Sequence, residues 1–170
     1  FKYKIYIHRN PLDTLISAYY FYKKRDIPFV GDPKKLRNKL LDIDFYVSHK
    51  LQDWISYHNK SIQKADFIIS YTDLKTKPLE KLEELINFLE WNYNKKLLIR
   101  SIKMSDIKNI KKMGEDTNQQ YGNGPKDGSF KGQFIRSGEE GQYYKELKSE
   151  TIQYIHNQFP DFIKNYKELF

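Results

Sequence analysis

The chain has 170 residues, 39% of them apolar and 16% aromatic, so it can bury a core, and its 31% of charged residues does not make it disordered. It has no cysteine, which excludes disulfides, thiolate metal sites and a cysteine nucleophile. Its 30 Lys and Arg against 22 Asp and Glu leave a net charge of +8, which favours anionic partners. The lysines are scattered along every helix rather than gathered into a stripe with interleaved aromatics, which slightly disfavours a nucleic-acid surface.

In chain order, Tyr3 to Ile7 is β-branched and aromatic and reads as a buried strand. At Asn10 the pattern switches to helical spacing. Asn10 suits the N-cap, Pro11 the first helical position, and Asp13 the positive helix end. Leu12, Leu15, Ile16, Tyr19 and Tyr20 define one buried face, and Ser17, one turn beyond Asp13, points away from it. Arg9 stands just before this helix, where unbonded backbone N–H groups attract anions, so a phosphate is the natural guest.

Lys23 to Gly31 reads as a polar connection, and Asp32-Pro33 should restart a helix. Leu36, Leu40, Ile43, Val47, Leu51 and Trp54 form one helical stripe, broken near Asp42-Ile43-Asp44. Ala65 to Ser70 predicts a second short buried strand, and Pro78 opens an amphipathic helix with Leu79, Leu82, Ile86 and Leu89 on one side. Two strands each followed by a helix give an α/β pattern with parallel pairing. Lys95 to Met113 predicts two helical pieces with Ser105-Asp106 as the cap between them.

Seven of the eight glycines lie between Gly114 and Gly141, so this stretch predicts a long loop, with a lid at about 114–138 that folds over a ligand. Glu139 to Phe159 then predicts a helix, which Pro160 ends before a terminal helix from Asp161 to Phe170.

Three stretches together resemble the sulfotransferase family, whose members move a sulfuryl group from 3′-phosphoadenosine-5′-phosphosulfate (PAPS) to a hydroxyl or amine. Ile5-Tyr6-Ile7-His8-Arg9-Asn10-Pro11-Leu12-Asp13, with Ser17-Ala18-Tyr19-Tyr20-Phe21, resembles the family's 3′-phosphate motif, which implies that Arg9 and Ser17 hold that phosphate. Tyr71-Thr72-Asp73-Leu74, followed by Pro78-Leu79 and Phe88-Leu89, is similar to the segment whose Tyr contacts the adenine, which implies that role for Tyr71; Thr72 replaces the usual Glu. Ser105 falls where the family contacts the adenosine, with Ile107 in place of an aromatic. Phe134-Ile135-Arg136-Ser137-Gly138, then Gly141-Gln142-Tyr143-Tyr144, resembles the family's late segment. The resemblance implies that Arg136 is a second cation on the phosphate, with backbone N–H groups at Ser137 and Gly138 completing the cradle. Ser137 stands where Lys is common, and Tyr144 replaces the usual Trp.

The resemblance implies an α/β, three-layer P-loop-NTPase-like fold with a parallel sheet, represented here only in part. Residues 1–170 would be the C-terminal portion of a sulfotransferase domain, with further strands supplied upstream or by another chain. PAPS is the implied donor and adenosine 3′,5′-bisphosphate the product. The acceptor would be a small molecule, a glycan or a peptide; no nucleic acid is expected, and the compartment stays open with the cytoplasm favoured. No Gly-rich run with Lys and Ser or Thr between a strand and a helix matches the family's phosphosulfate loop, and the catalytic His of the family would precede Phe1. The catalytic residue is therefore unassigned. Of His8, His49, His58 and His156, His8 stands beside the expected site, and the other three read as surface or packed residues. The histidines show no metal-ligand spacing, no apolar run approaches the ~18 residues of a membrane span, and no signal peptide is visible. Two other readings stay open: a non-catalytic basic module that binds nucleic acid or a sulfated glycan, and another nucleotide-dependent transferase or kinase of similar fold.

Overall fold

The computed structural model describes residues 2–25, 34–110 and 138–165. In chain order its elements are β1 (Ile5–His8), α1 (Pro11–Arg25), two 3-10 turns (Lys34–Leu36 and Lys39–Leu41), α2 (Ile43–Lys64), β2 (Phe67–Ser70), α3 (Tyr71–Thr76), α4 (Pro78–Phe88), α5 (Lys95–Met104), α6 (Tyr143–Glu146), α7 (Ser149–Gln158) and α8 (Pro160–Asn165). These residues fall into two compact units. A strand unit holds residues 2–8, 60–110 and 138, and a helical unit holds the rest.

In the helical unit the residues at the start of α1 behave as their chemistry requires. Asn10 is the N-cap, with its Oδ1 accepting the Asp13 N–H at 3.0 Å, and its carbonyl accepts the Thr14 N–H at 3.0 Å. Leu12, Leu15, Ile16 and Tyr19 turn inward as their spacing predicts, and all four are buried. They join Leu40, Tyr46, Val47, Leu51, Ile55, Tyr143, Leu147, Ile155 and Phe162 in a single apolar cluster. Each fully buried Leu or Ile contributes about 1.5–3 kcal/mol relative to exposure, so this cluster is the main source of the unit's stability. His58 belongs to the same core: it stacks on Trp54 at 4.8 Å and meets Phe162 edge-on at 5.9 Å.

The expected break near Asp42 is an N-cap. Asp42 Oδ1 accepts the Phe45 N–H at 2.9 Å, and α2 starts at Ile43. Leu36 and Leu40 lie in 3-10 turns ahead of it, and Asp32-Pro33 lies outside the described residues. α1 continues through Arg25, past the connection expected from Lys23. The single helix expected from Glu139 is two helices, α6 and α7, separated at Leu147-Lys148. The Lys148 N–H there turns to Asp44 Oδ1 at 2.9 Å instead of continuing a helical ladder. Pro160 does more than end a helix, since it is the first residue of α8.

In the strand unit β1 and β2 pair in parallel, with Ile5 opposite Phe67 and His8 opposite Ser70. The strand expected to be buried is not: β1 alternates exposed and half-buried residues, with Ile5 42% and Ile7 53% exposed. The described cover lies over β2, where α3 and α4 pack and Phe88 meets Phe67 at 5.1 Å, while Ile69 is buried. Tyr3 reaches the same Phe88 ring at 5.0 Å.

Ser70 Oγ accepts the Asp73 N–H at 3.4 Å and so caps α3 as the chain leaves β2. α4 opens on Pro78 as its sequence predicts. Asn94 caps α5 through the Lys96 and Leu97 N–H groups. The two-piece reading of residues 95–113 holds over its described part: α5 ends at Met104, and Asp106 Oδ1 accepts the Lys108 N–H at 2.8 Å to start the helical turn at 107–110. Glu83 joins α4 to the segment after it, accepting from Tyr93 and Lys95, and the Lys95 ammonium, then the Tyr93 hydroxyl, hold its carboxyl below the usual range.

Candidate functional site

On the helical unit, a strand-to-helix turn places Arg9 immediately before the α1 N-cap, half-buried. Its Nη2 donates to the Glu139 carbonyl at 2.8 Å. The same carbonyl accepts from Gln142 Nε2 at 2.7 Å, so two side chains grip one oxygen of the turn that precedes α6. Asp13 is 1% exposed, and its carboxylate accepts the Gly141 N–H at 2.7 Å and the Tyr143 N–H at 3.1 Å. Sequence spacing assigns Asp13 to the dipole of its own helix; its side chain serves the start of another one, α6. Gly141 takes a left-handed φ of +69°, which lets the turn close over Asp13. Burial, together with the neighbouring Tyr144 hydroxyl and the Asp13 carboxylate, pushes the Tyr143 phenol well above its usual range. Ser17 is exposed on α1, about 9 Å along the helix axis from Pro11.

On the strand unit, Tyr71 is half-buried at the start of α3. Lys75, one helical turn later, lies over its ring at 5.9 Å and donates to the Gly138 carbonyl at 2.9 Å. Gly138 has φ +70°, and a Cβ there would stand 2.3 Å from Ile107 Cδ1. The Ile107 side chain thus packs directly on a bare stretch of backbone. Ser105 is exposed at the end of α5, where its N–H donates to the Ser101 carbonyl at 2.9 Å.

Within the strand unit Lys75 thus touches both Tyr71 and Gly138, and within the helical unit Arg9 is held against the Glu139 carbonyl. Arg136 and Ser137, and the expected lid apart from Gly138, lie outside the described residues. Sequence reasoning passed over Lys75, although a cation four residues after an aromatic on a helix is a readable pair. It also passed over the Glu139 carbonyl, for which no side-chain signal exists. Among the described residues no group of His, Asp and Glu could hold a metal ion, and no helix is long and apolar enough to cross a membrane.

The sulfotransferase domain family matches residues 2–168, almost the whole chain. The chain belongs to the sulfotransferase domain family. Its fold is similar to that of mouse sulfotransferase SULT7A1, solved in complex with PAP, at a TM-score of 0.58 and 18% sequence identity. That match covers 96% of this chain and 58% of the mouse one. The mostly helical architecture with a small parallel sheet is thus a partial representation of the P-loop-like α/β fold of sulfotransferases. In the helical unit a guanidinium stands beside a helix N-terminus, an arrangement that attracts anions.

Proposed function

We propose that the protein is a sulfotransferase that uses PAPS, and that this chain supplies the part which binds the 3′-phosphoadenosine half of the donor. The observation that carries this reading is Arg9: a half-buried guanidinium at the start of α1, held from one side by the Glu139 carbonyl at 2.8 Å, in a chain of the sulfotransferase domain family. When bound, PAPS supplies the sulfuryl group that passes to a hydroxyl or amine of a small molecule, glycan or peptide acceptor. Arg9 and Ser17 bind the 3′-phosphate, with Arg9 giving a charge-assisted, directional contact and the α1 N-terminus adding its dipole. Arg136 adds a second cation, and the N–H groups at Ser137 and Gly138 complete the cradle. Tyr71 offers its ring to the adenine, and Ser105 contacts the adenosine. The acceptor's proton and the leaving phosphate are handled by groups to which no described residue is assigned.

Titration calorimetry tests the reading, with adenosine 3′,5′-bisphosphate compared with adenosine 5′-monophosphate. The parent protein should prefer the bisphosphate. Arg9→Ala should lose about 1.5–3 kcal/mol of that binding, roughly one to two orders of magnitude in affinity, with little change toward the monophosphate. Equal affinity of the parent for the two nucleotides would remove the assignment of Arg9, Ser17 and Arg136.

A further inference from the structure

The carboxylate of Asp13 is the most deeply buried charge described in the helical unit, and the phosphate contacts proposed above do not use it. Its two oxygens face the main-chain N–H groups of Gly141 and Tyr143, while its own N–H is held by the Asn10 cap next to Arg9. Hydrogen bonds to an ionised acceptor are about twice as strong as neutral ones, so this residue pins the 139–143 turn onto the first turn of α1 from both sides. The same turn carries the Glu139 carbonyl, which accepts from Arg9 and, at its other flank, from Gln142. The contacts form a closed circuit: Asp13 fixes the turn, the turn fixes the carbonyl, and the carbonyl fixes the guanidinium. A carboxylate so close to a phosphate-binding helix end would ordinarily repel the guest, but here it is turned onto two amide N–H groups.

We propose that Asp13 is a positioning residue that acts through the 139–143 turn and the Glu139 carbonyl to hold the Arg9 guanidinium in the orientation that takes the 3′-phosphate. This inference rests on the sulfotransferase reading above. An amide cannot replace the carboxylate, because its NH₂ group would meet one of the two N–H donors head-on while its size stays the same.

The test is Asp13→Asn, alone and in an Arg9→Ala background, with affinity measured for adenosine 3′,5′-bisphosphate and for adenosine 5′-monophosphate. Asp13→Asn should weaken the bisphosphate about five- to tenfold, the scale of one loosened charge-assisted contact, and change the monophosphate by less than about twofold. In the Arg9→Ala background it should add nothing, since the group it positions is gone. Equal weakening of both nucleotides, an undiminished preference in the folded variant, or full additivity with Arg9→Ala would each overturn the proposal.

A second readout uses no nucleotide. The Arg9 side-chain N–H signals, followed by NMR, should exchange with solvent faster in Asp13→Asn, and unchanged exchange overturns the positioning role whatever the titrations give. A parent that ignores the 3′-phosphate while Asp13→Asn still frees Arg9 would instead sink the sulfotransferase reading alone. If Asp13→Asn does not fold, Gln142→Ala, which removes the other hold on the Glu139 carbonyl, should shift both readouts in the same direction; no shift overturns the proposal.

Discussion

Around α1 the apolar side chains close on one another from Leu12 to Phe162, whereas in the strand unit Ile69 is buried and Ile5, Ile7, Ile68, Leu97 and Met104 stand exposed. The two units hold their candidate ligand groups by different means. Arg9 and Asp13 are fixed by hydrogen bonds resting on a packed core. Tyr71, Lys75 and Gly138 are fixed by helix spacing, a cation over a ring and one backbone contact. Substitution in the core should therefore register as lost stability, and substitution in the strand unit as a local change.

The largest contrast should come from a matched pair of truncations. Leu51→Ala should destabilise by about 2–5 kcal/mol because it leaves a cavity under α2, whereas Leu97→Ala, at a position 60% exposed, should stay within about 0.5 kcal/mol. Denaturant unfolding of the two variants decides it, and equal losses would mean that α5 is covered in the folded protein.

Next in size is Gly138→Ala. The left-handed backbone should cost about 1–2 kcal/mol, and the 2.3 Å approach to Ile107 should add strain. Adding Ile107→Ala should recover the steric part and leave the backbone part. Full recovery would show that the positive φ is not required.

Tyr71→Phe should barely change nucleotide affinity, while Tyr71→Leu should lower it by about 0.5–1.5 kcal/mol if the ring faces the adenine. A loss for Phe as large as that for Leu would mean that the hydroxyl, not the ring, is used.

The smallest effect is a pH effect. The folded phenol of Tyr143 titrates above its unfolded value near 10, so its contribution is fully present below about pH 10 and is lost as pH rises beyond that. Tyr143→Phe should flatten the alkaline decline of the thermal midpoint. An unchanged alkaline slope would show that another group governs it.

Local chemistry made much of the fold legible. Asn10 with Pro11, Asp42, Pro78, and Ser105 with Asp106 each marked a helix boundary where the structure has one, because caps depend on the next three residues and nothing farther away. The inward face of α1 was equally plain. What could not be read depends on partners distant in sequence. Whether Ile5 and Ile7 are covered is decided by what packs on β1, so an apolar run alone could not tell an exposed strand from a buried one. The break between α6 and α7 depends on Asp44, about a hundred residues earlier, which takes the Lys148 N–H.

The site followed the same division. Arg9 was visible from its place between a strand and a helix cap, and Tyr71 from the motif around it. The contacts of Asp13 were hidden, because its side chain accepts from main-chain groups that carry no sequence signature.

The bonds from Asp13 also have a temporal meaning, since they close loops of 128 and 130 residues. Joining chain ends at that separation costs about 4 kcal/mol in the logarithmic closure term alone, and contacts of such span lengthen folding. A ribosome adding about 5–20 residues per second delivers Gly141 roughly 6–26 s after Asp13. The guanidinium at the head of α1 is thus made early and aimed late, and a nascent chain stopped short of Glu139 would carry the helix without the oriented cation.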